Sequence, residues 1–166
     1  MGKNGDNANK SEKTNVMRLL DEAGIVYEHV SYSTQLVNAA EVAESVGRSY
    51  ESVFKTLVTV GKSGAHYVFM LPSRSELDLK KAAKAAGEKS VEMIPQKQLL
   101  PLTGYIRGGC SPIGMKKHFP TYMDESLILL DQICFSAGKV GFQVVMTTNE
   151  FMKAVNPVIM DLCKRR

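Results

Sequence analysis

SVFKTLVTV, residues 52–60, runs into GKSG and then AHYVFML, residues 65–71. Both arms are rich in β-branched and aromatic residues, and the four-residue insert carries two glycines, so the stretch predicts a β-hairpin. Pro72 closes it. A strand's period of two puts Val53, Lys55 and Leu57 on one face and Phe54, Thr56 and Val58 on the other. Lys55 is the one charge inside an otherwise apolar strand. An ammonium group buried without a partner is costly, so Lys55 either faces a ligand phosphate or carbonyl, or snorkels from a sheet edge. The residue types leave both readings open.

Upstream, Val16, Met17, Leu19, Leu20 and Ala23 fall on one helical stripe that Gly24 ends. Residues 25–31 alternate as a strand, with Tyr32 at its end, where a phenol lines a pocket or closes a core. Residues 37–46 form a short helix stopped by Gly47. Met1 to Lys10 is almost devoid of apolar residues and is expected to be a disordered tail, leaving 11–166 as one domain.

Downstream, Leu77, Leu79, Ala82, Ala83 and Ala86 mark a helix ending at Gly87, with Lys80, Lys81 and Lys84 on its solvated side. Residues 90–94 read as a short strand, and Pro95 opens a brief helix through Leu100. Strands are expected at 119–123, 133–135 and 142–146, the last two joined by the turn SAGKVG. Thr148 is placed as the cap of a helix over 149–155, and Pro157 opens a terminal helix over 158–164. Hairpins interrupted by helices, without strict βαβ alternation, argue for an α+β domain around a mixed or antiparallel sheet.

Between those strands lies TGYIRGGCSPIGMKK, residues 103–117, with four glycines, one proline, and Arg107, Lys116 and Lys117 as basic flanks. It repeats at neither 3.6 nor 2.0 residues. Glycine lets backbone approach a ligand closely, and successive N–H groups in such a turn make a nest for anionic or carbonyl oxygens; tight sheet corners use the same residues.

Composition narrows the chemistry. Three cysteines, Cys110, Cys134 and Cys163, without CxxC spacing indicate neither a disulfide framework nor a zinc site. No apolar run reaches about 18 residues and no h-region opens the chain, so a soluble cytoplasmic protein with no membrane partner is expected. Net charge +4 permits a nucleic-acid partner without requiring one. The dinucleotide and P-loop glycine patterns are absent. Cys110 invites a nucleophile reading, but no His or Asp is specified near it, and Asp124 and Asp131 read as turn or helix caps.

The strand VFKTLV, the segment LDLKKAAKAAG, the loop TGYIRGGCSPIGMKK and the turn SAGKVG, in this order, resemble the YbaK family of aminoacyl-tRNA deacylases, related to the editing domain of bacterial prolyl-tRNA synthetase. The resemblance runs from about Leu19 to Asp161. It implies an α+β domain with a mixed, barrel-like central sheet, hydrolysis of misacylated tRNA, most typically cysteinyl-tRNA(Pro), and no metal or other cofactor. It places Lys55, Gly108 and Gly109 in catalysis and Tyr32, Thr56, Ser111, Ser136 and Gly138 in substrate binding. Hydrolysis there proceeds without a protein nucleophile: the substrate's thiol or a bound water attacks the ester while loop amides hold the carbonyl and Lys55 fixes the 3′-terminal nucleotide. The implied partners are tRNA(Pro) and prolyl-tRNA synthetase. Gly141-Phe142-Gln143 stands where many members read GLD or GLQ, so an aspartate's role does not transfer to Gln143. A non-catalytic tRNA or synthetase adaptor is the alternative.

Overall fold

The computed structural model describes residues 13–33, 39–45 and 47–165. The expected tail lies outside them, as do parts of the second helix's predicted span. The hairpin forms as read: β2 (Phe54–Gly61) pairs antiparallel with β3 (His66–Pro72), from Phe54 opposite Pro72 to Val60 opposite His66. Helix α1 (Asn15–Glu22) is capped by the Thr14 hydroxyl, β1 is Glu28–Ser31, and α2 is Ala39–Ser45. Helix α3 (Leu79–Ala86) starts where the Asp78 carboxylate accepts from the amides of Lys80 and Lys81, and it stops at Gly87, whose φ of 70° a glycine adopts without strain. Strand β4 (Val91–Met93) leads through a 3₁₀ turn at Gln96–Gln98 into α4 (Leu99–Thr103). After the glycine loop come β5 (Thr121–Asp124), β6 (Gln132–Ser136), β7 (Phe142–Thr147), α5 (Thr148–Val155) and β8 (Val158–Met160).

The described strands make two sheets. One runs β4-β2-β3-β5-β8, antiparallel in the hairpin and at β4, parallel at β3–β5 and β5–β8; the other runs β1-β7-β6, antiparallel throughout. The sheet is therefore mixed, as expected. No ladder closes it into a barrel: among the described residues, the sheets are bridged only at Val53 and Cys134. Two buried faces explain why β3 reads as a continuous apolar run, with Val68, Phe69, Met70 and Leu71 all fully enclosed. On one side Phe54, Met70 and Met123 pack against Ile133, Phe135, Val144 and Met146 of the smaller sheet, sealed by Val16, Met17 and Leu20 of α1 and Phe151 of α5. On the other, Phe69 and Leu71 pack against Leu77, Ala82 and Ala83 around α3, together with Leu162.

The C-terminal segment departs from the sequence reading. Instead of a helix over 158–164, Val158, Ile159 and Met160 extend beside Tyr122, Met123 and Asp124 as an edge strand. Three tertiary contacts continue the extended chain: Leu162 N–H donates to Asp124 Oδ1 at 3.0 Å, Lys164 N–H to the Glu76 carbonyl at 2.9 Å, and Leu77 bridges Cys163. These partners lie far off in sequence, so local propensity could not weigh them. Lys81 belongs to the same clasp rather than to a solvated face, its ammonium group lying 2.9 Å from Asp161 and 2.8 Å from the Cys163 carbonyl. Lys80 and Lys84 are exposed as predicted. The cap of α5 is Thr147, one residue earlier than expected, its hydroxyl accepting from Glu150 N–H.

Candidate active site

The cavity arises where β2 loses its neighbours. Strand β4 pairs only with Thr59 to Gly61, and the bridge to β6 stops at Val53. Ile94 N–H donates to the Val58 carbonyl at 3.3 Å and Cys134 N–H to the Ser52 carbonyl at 2.8 Å, so even-numbered residues turn their backbone groups to this edge. Thr56, between them, has no ladder partner on that side among the described residues. Its hydroxyl oxygen is also buried without a hydrogen-bond partner. A native interior rarely leaves such groups unsatisfied, so polar ligand contacts are expected at this edge.

A space of about 730 Å³ opens there. Lys55, Thr56 and Leu57 form one wall; Ser136 and Gln143, directly opposed across β6 and β7, form a second. Arg107, Gly108 and Cys110 of the glycine loop make the third, and Ile94, Gln96 and Leu99 the fourth. Tyr32 ties two walls together. Its N–H donates to the Gly141 carbonyl at 2.9 Å, and its hydroxyl reaches the Gly108 carbonyl at 3.3 Å.

Lys55 is half-buried, and among the described residues it has neither a hydrogen bond nor an ion pair. Desolvation lowers its pKa below the ordinary lysine value, against the weaker fields of Cys163 and Glu76, which raise it. Among the described residues no carboxylate lines the cavity, whereas Lys55 and Arg107 both do. The site therefore suits an anionic or acceptor-rich ligand.

Gly108 has φ of 84°, its carbonyl is held by Tyr32, and its N–H makes no hydrogen bond among the described residues. A Cβ added there would meet Val140 Cγ2 at 3.6 Å, an ordinary contact with a residue outside the cavity wall. The constraint at Gly108 is thus conformational. Cys110 faces the cavity, but burial pushes its thiol up to about 12, which leaves it a protonated, poor nucleophile. Among the described residues no three His, Cys, Asp or Glu side chains gather as a metal site.

Five of the eight expected site residues, Tyr32, Lys55, Thr56, Gly108 and Ser136, line the cavity; Gly109, Ser111 and Gly138 stand behind its wall. Gly109 spends its N–H on the Ile106 carbonyl, and a Cβ there would lie 3.1 Å from Val140 N, so glycine permits the loop to lie on the neighbouring turn. Ser111 is fully buried and accepts from Ile113 N–H. Gly138 donates to Ser136 Oγ at 3.1 Å, and a Cβ on it would press into Val16 and Tyr105. It supports Ser136 from behind. Gln96 and Leu99 carried no signal in sequence, because only the tertiary course of 94–99 brings them to the β2 edge. Arg107 and Gln143 were visible as a basic flank and a departure from the family pattern, without a role.

The sequence profile of the aminoacyl-tRNA editing domain matches residues 34–154. The chain belongs to this family. A protein of Enterococcus faecalis (strain ATCC 700802 / V583), named as a Cys-tRNA(Pro)/Cys-tRNA(Cys) deacylase, EbsC, is 46% identical over 147 residues, spanning 87% of this chain and 90% of its own. A crystal structure described as a trans-editing enzyme for prolyl-tRNA synthetase superposes with a TM-score of 0.81 at 26% identity, covering 90% of this chain and 95% of that one. A second structure, of a hypothetical protein 21% identical, covers 90% of this chain and 99% of its own with a TM-score of 0.82, and shows the shared fold alone. The chain is an aminoacyl-tRNA deacylase acting in trans-editing, and aminoacyl-tRNA is its substrate. None of its described helices is long and apolar enough to cross a membrane.

Proposed function

We propose that the deacylase hydrolyses cysteinyl-tRNA(Pro) in the cytoplasm, through residues 11–166 as one domain, with prolyl-tRNA synthetase as the source of the mischarged substrate. The observation that supports the site assignment is that Lys55, without a hydrogen bond or ion pair among the described residues, and Gly108, whose N–H is likewise unbonded there, line one cavity. Lys55 takes the phosphate of the terminal nucleotide, regaining in the complex the counter-charge it lacks. Gly108 N–H points at the acyl carbonyl, and the Tyr32 hydroxyl, donating to the Gly108 carbonyl, holds the next peptide of the loop in place. Thr56 and Ser136 hold the aminoacyl end.

Reaction needs no protein nucleophile. Water, or the cysteinyl thiol itself, adds to the ester carbonyl; the charge that develops on oxygen is received by the loop amide; collapse breaks the acyl–oxygen bond, and the ribose oxygen leaves with a proton. Water attack releases cysteine, and thiol attack releases its four-membered thiolactone, which water then opens. A neutral Cys110 agrees with this course. The name of the Enterococcus faecalis relative supports cysteine as the amino acid.

The test is to incubate purified protein with cysteinyl-tRNA(Pro), alanyl-tRNA(Pro) and correctly charged prolyl-tRNA(Pro), and follow release of amino acid or thiolactone. Preferential loss of the cysteinyl ester is expected. Binding without release would make the chain an adaptor.

A further inference from the structure

Gln143 sits at the start of β7 with 5% of its surface exposed, and that remnant faces the cavity. Its neighbour across β6 is Ser136, already placed in the wall. Beneath it, Cys134 Sγ lies 2.7 Å from Gln143 Oε1. Cys134 itself is 1% exposed, and burial pushes its thiol up to about 12, so the proton stays on sulfur and is available to the amide oxygen. The amide nitrogen makes no hydrogen bond among the described residues and is not one of the enclosed unpartnered atoms. The amide nitrogen therefore keeps some exposure and a free donor, in a residue that lines the cavity.

We propose that Cys134 is a positioning residue that locks the Gln143 amide with its nitrogen toward the cavity, making Gln143 a hydrogen-bond donor to an oxygen at the acyl–ribose junction of the substrate. The other groups of the cavity set the polarity that this donor serves. Lys55 and Arg107 are donors, the Gly108 amide is assigned as a third, and no carboxylate is among the described lining residues. A side-chain amide free to flip would also present its acceptor oxygen to substrate oxygens. Sulfur is the lock against that flip. Cys134 also sits at the Val53 bridge between the sheets, so the amide is referenced to the β2 edge that carries Thr56.

This inference rests on the cavity being the deacylation site, and the experiment separates the two. Single-turnover kcat/KM on cysteinyl-tRNA is measured for wild type, Cys134→Ala, Cys134→Ser, Gln143→Leu and the double variant Cys134→Ala/Gln143→Leu, with thermal midpoints alongside. Cys134→Ala is expected to lose roughly tenfold, the fold-change of about one net hydrogen bond. Cys134→Ser, which keeps a donor, should recover most of that loss. With Gln143→Leu already in place, Cys134→Ala should cost nothing more. An equal loss from Cys134→Ala in both backgrounds, failure of serine to rescue, or no loss at all would overturn the proposal, because each result reduces Cys134 to ordinary packing. Should wild type show no turnover, the deacylase reading falls separately. The same cycle is then read from calorimetric Kd values for the non-hydrolysable 3′-cysteinylamino-3′-deoxyadenosine, where coupling supports the lock and additivity overturns it.

Discussion

Two lysines of similar burial flank the larger sheet and meet opposite fates. Lys81 projects from α3 into Asp161 and the Cys163 carbonyl, so each direction its charge faces is answered by protein. Lys55 projects from β2 into a cavity and makes no hydrogen bond or ion pair in the described chain, with only the weaker fields of Cys163 and Glu76 to oppose its desolvation. The first arrangement closes a fold, pinning the extended C-terminal strand where a helix had been expected. The second is unfavourable for folding and makes sense only with a ligand. A lysine's burial says little by itself; whether its partner is inside the molecule decides between scaffold and site.

The sharpest way to break the contrast is to remove each charge in turn. Lys55→Ala should abolish deacylation, a loss of at least about 10³-fold by analogy with removed transition-state and phosphate contacts. Its thermal midpoint should stay level or rise, since a desolvated unpaired charge has gone. Lys81→Ala should do the reverse, lowering stability by about 1 kcal/mol, the scale of a partly exposed ion pair with one added hydrogen bond, with turnover per folded molecule unchanged.

Gly108→Ala comes next in size. A loss of about 10²-fold in single-turnover rate is expected from a misdirected amide, against a strain cost of roughly 1 kcal/mol for a side chain at positive φ. The added methyl meets Val140 and leaves the cavity open, so KM should change less than kcat. An early-melting variant with a normal rate would make Gly108 a structural corner, like Gly109 behind it.

The smallest effect belongs to Cys110. Cys110→Ser should stay within a few-fold of wild type, and on alanyl-tRNA, which has no thiol of its own, the two pH–rate profiles should coincide between pH 6 and 9. The sign follows from burial: a thiol raised to about 12 is protonated throughout that window, so no thiolate step can enter. An inflection near pH 8 lost in the serine variant would instead reveal a cysteine nucleophile.

Much of this was legible in the chain. The hairpin and the C-terminal end of α3 follow from local chemistry: β-branched runs and Gly87 as a stop. Lys55 was legible as an anomaly, because a charge in an apolar strand asks for an explanation. The C-terminal strand was not legible. Its extended form depends on Asp124, Glu76 and Lys81, and a proline followed by apolar residues is equally good as a helix start. The cavity's shape was hidden for the same reason, since it is set by where β4 and β6 leave β2, which are distant pairings. The motif glycines divide on structure: close packing requires Gly109 and Gly138, whereas Gly108 is held by its positive φ and lines the cavity.

The most direct measurement pairs rate with stability in one variant: single-turnover hydrolysis of cysteinyl-tRNA(Pro) by Lys55→Ala, beside its thermal midpoint. Abolished hydrolysis with a midpoint equal to or above wild type is predicted. Wild-type turnover, or loss of activity that merely follows a fall in the midpoint, would contradict the assignment of Lys55 to the substrate.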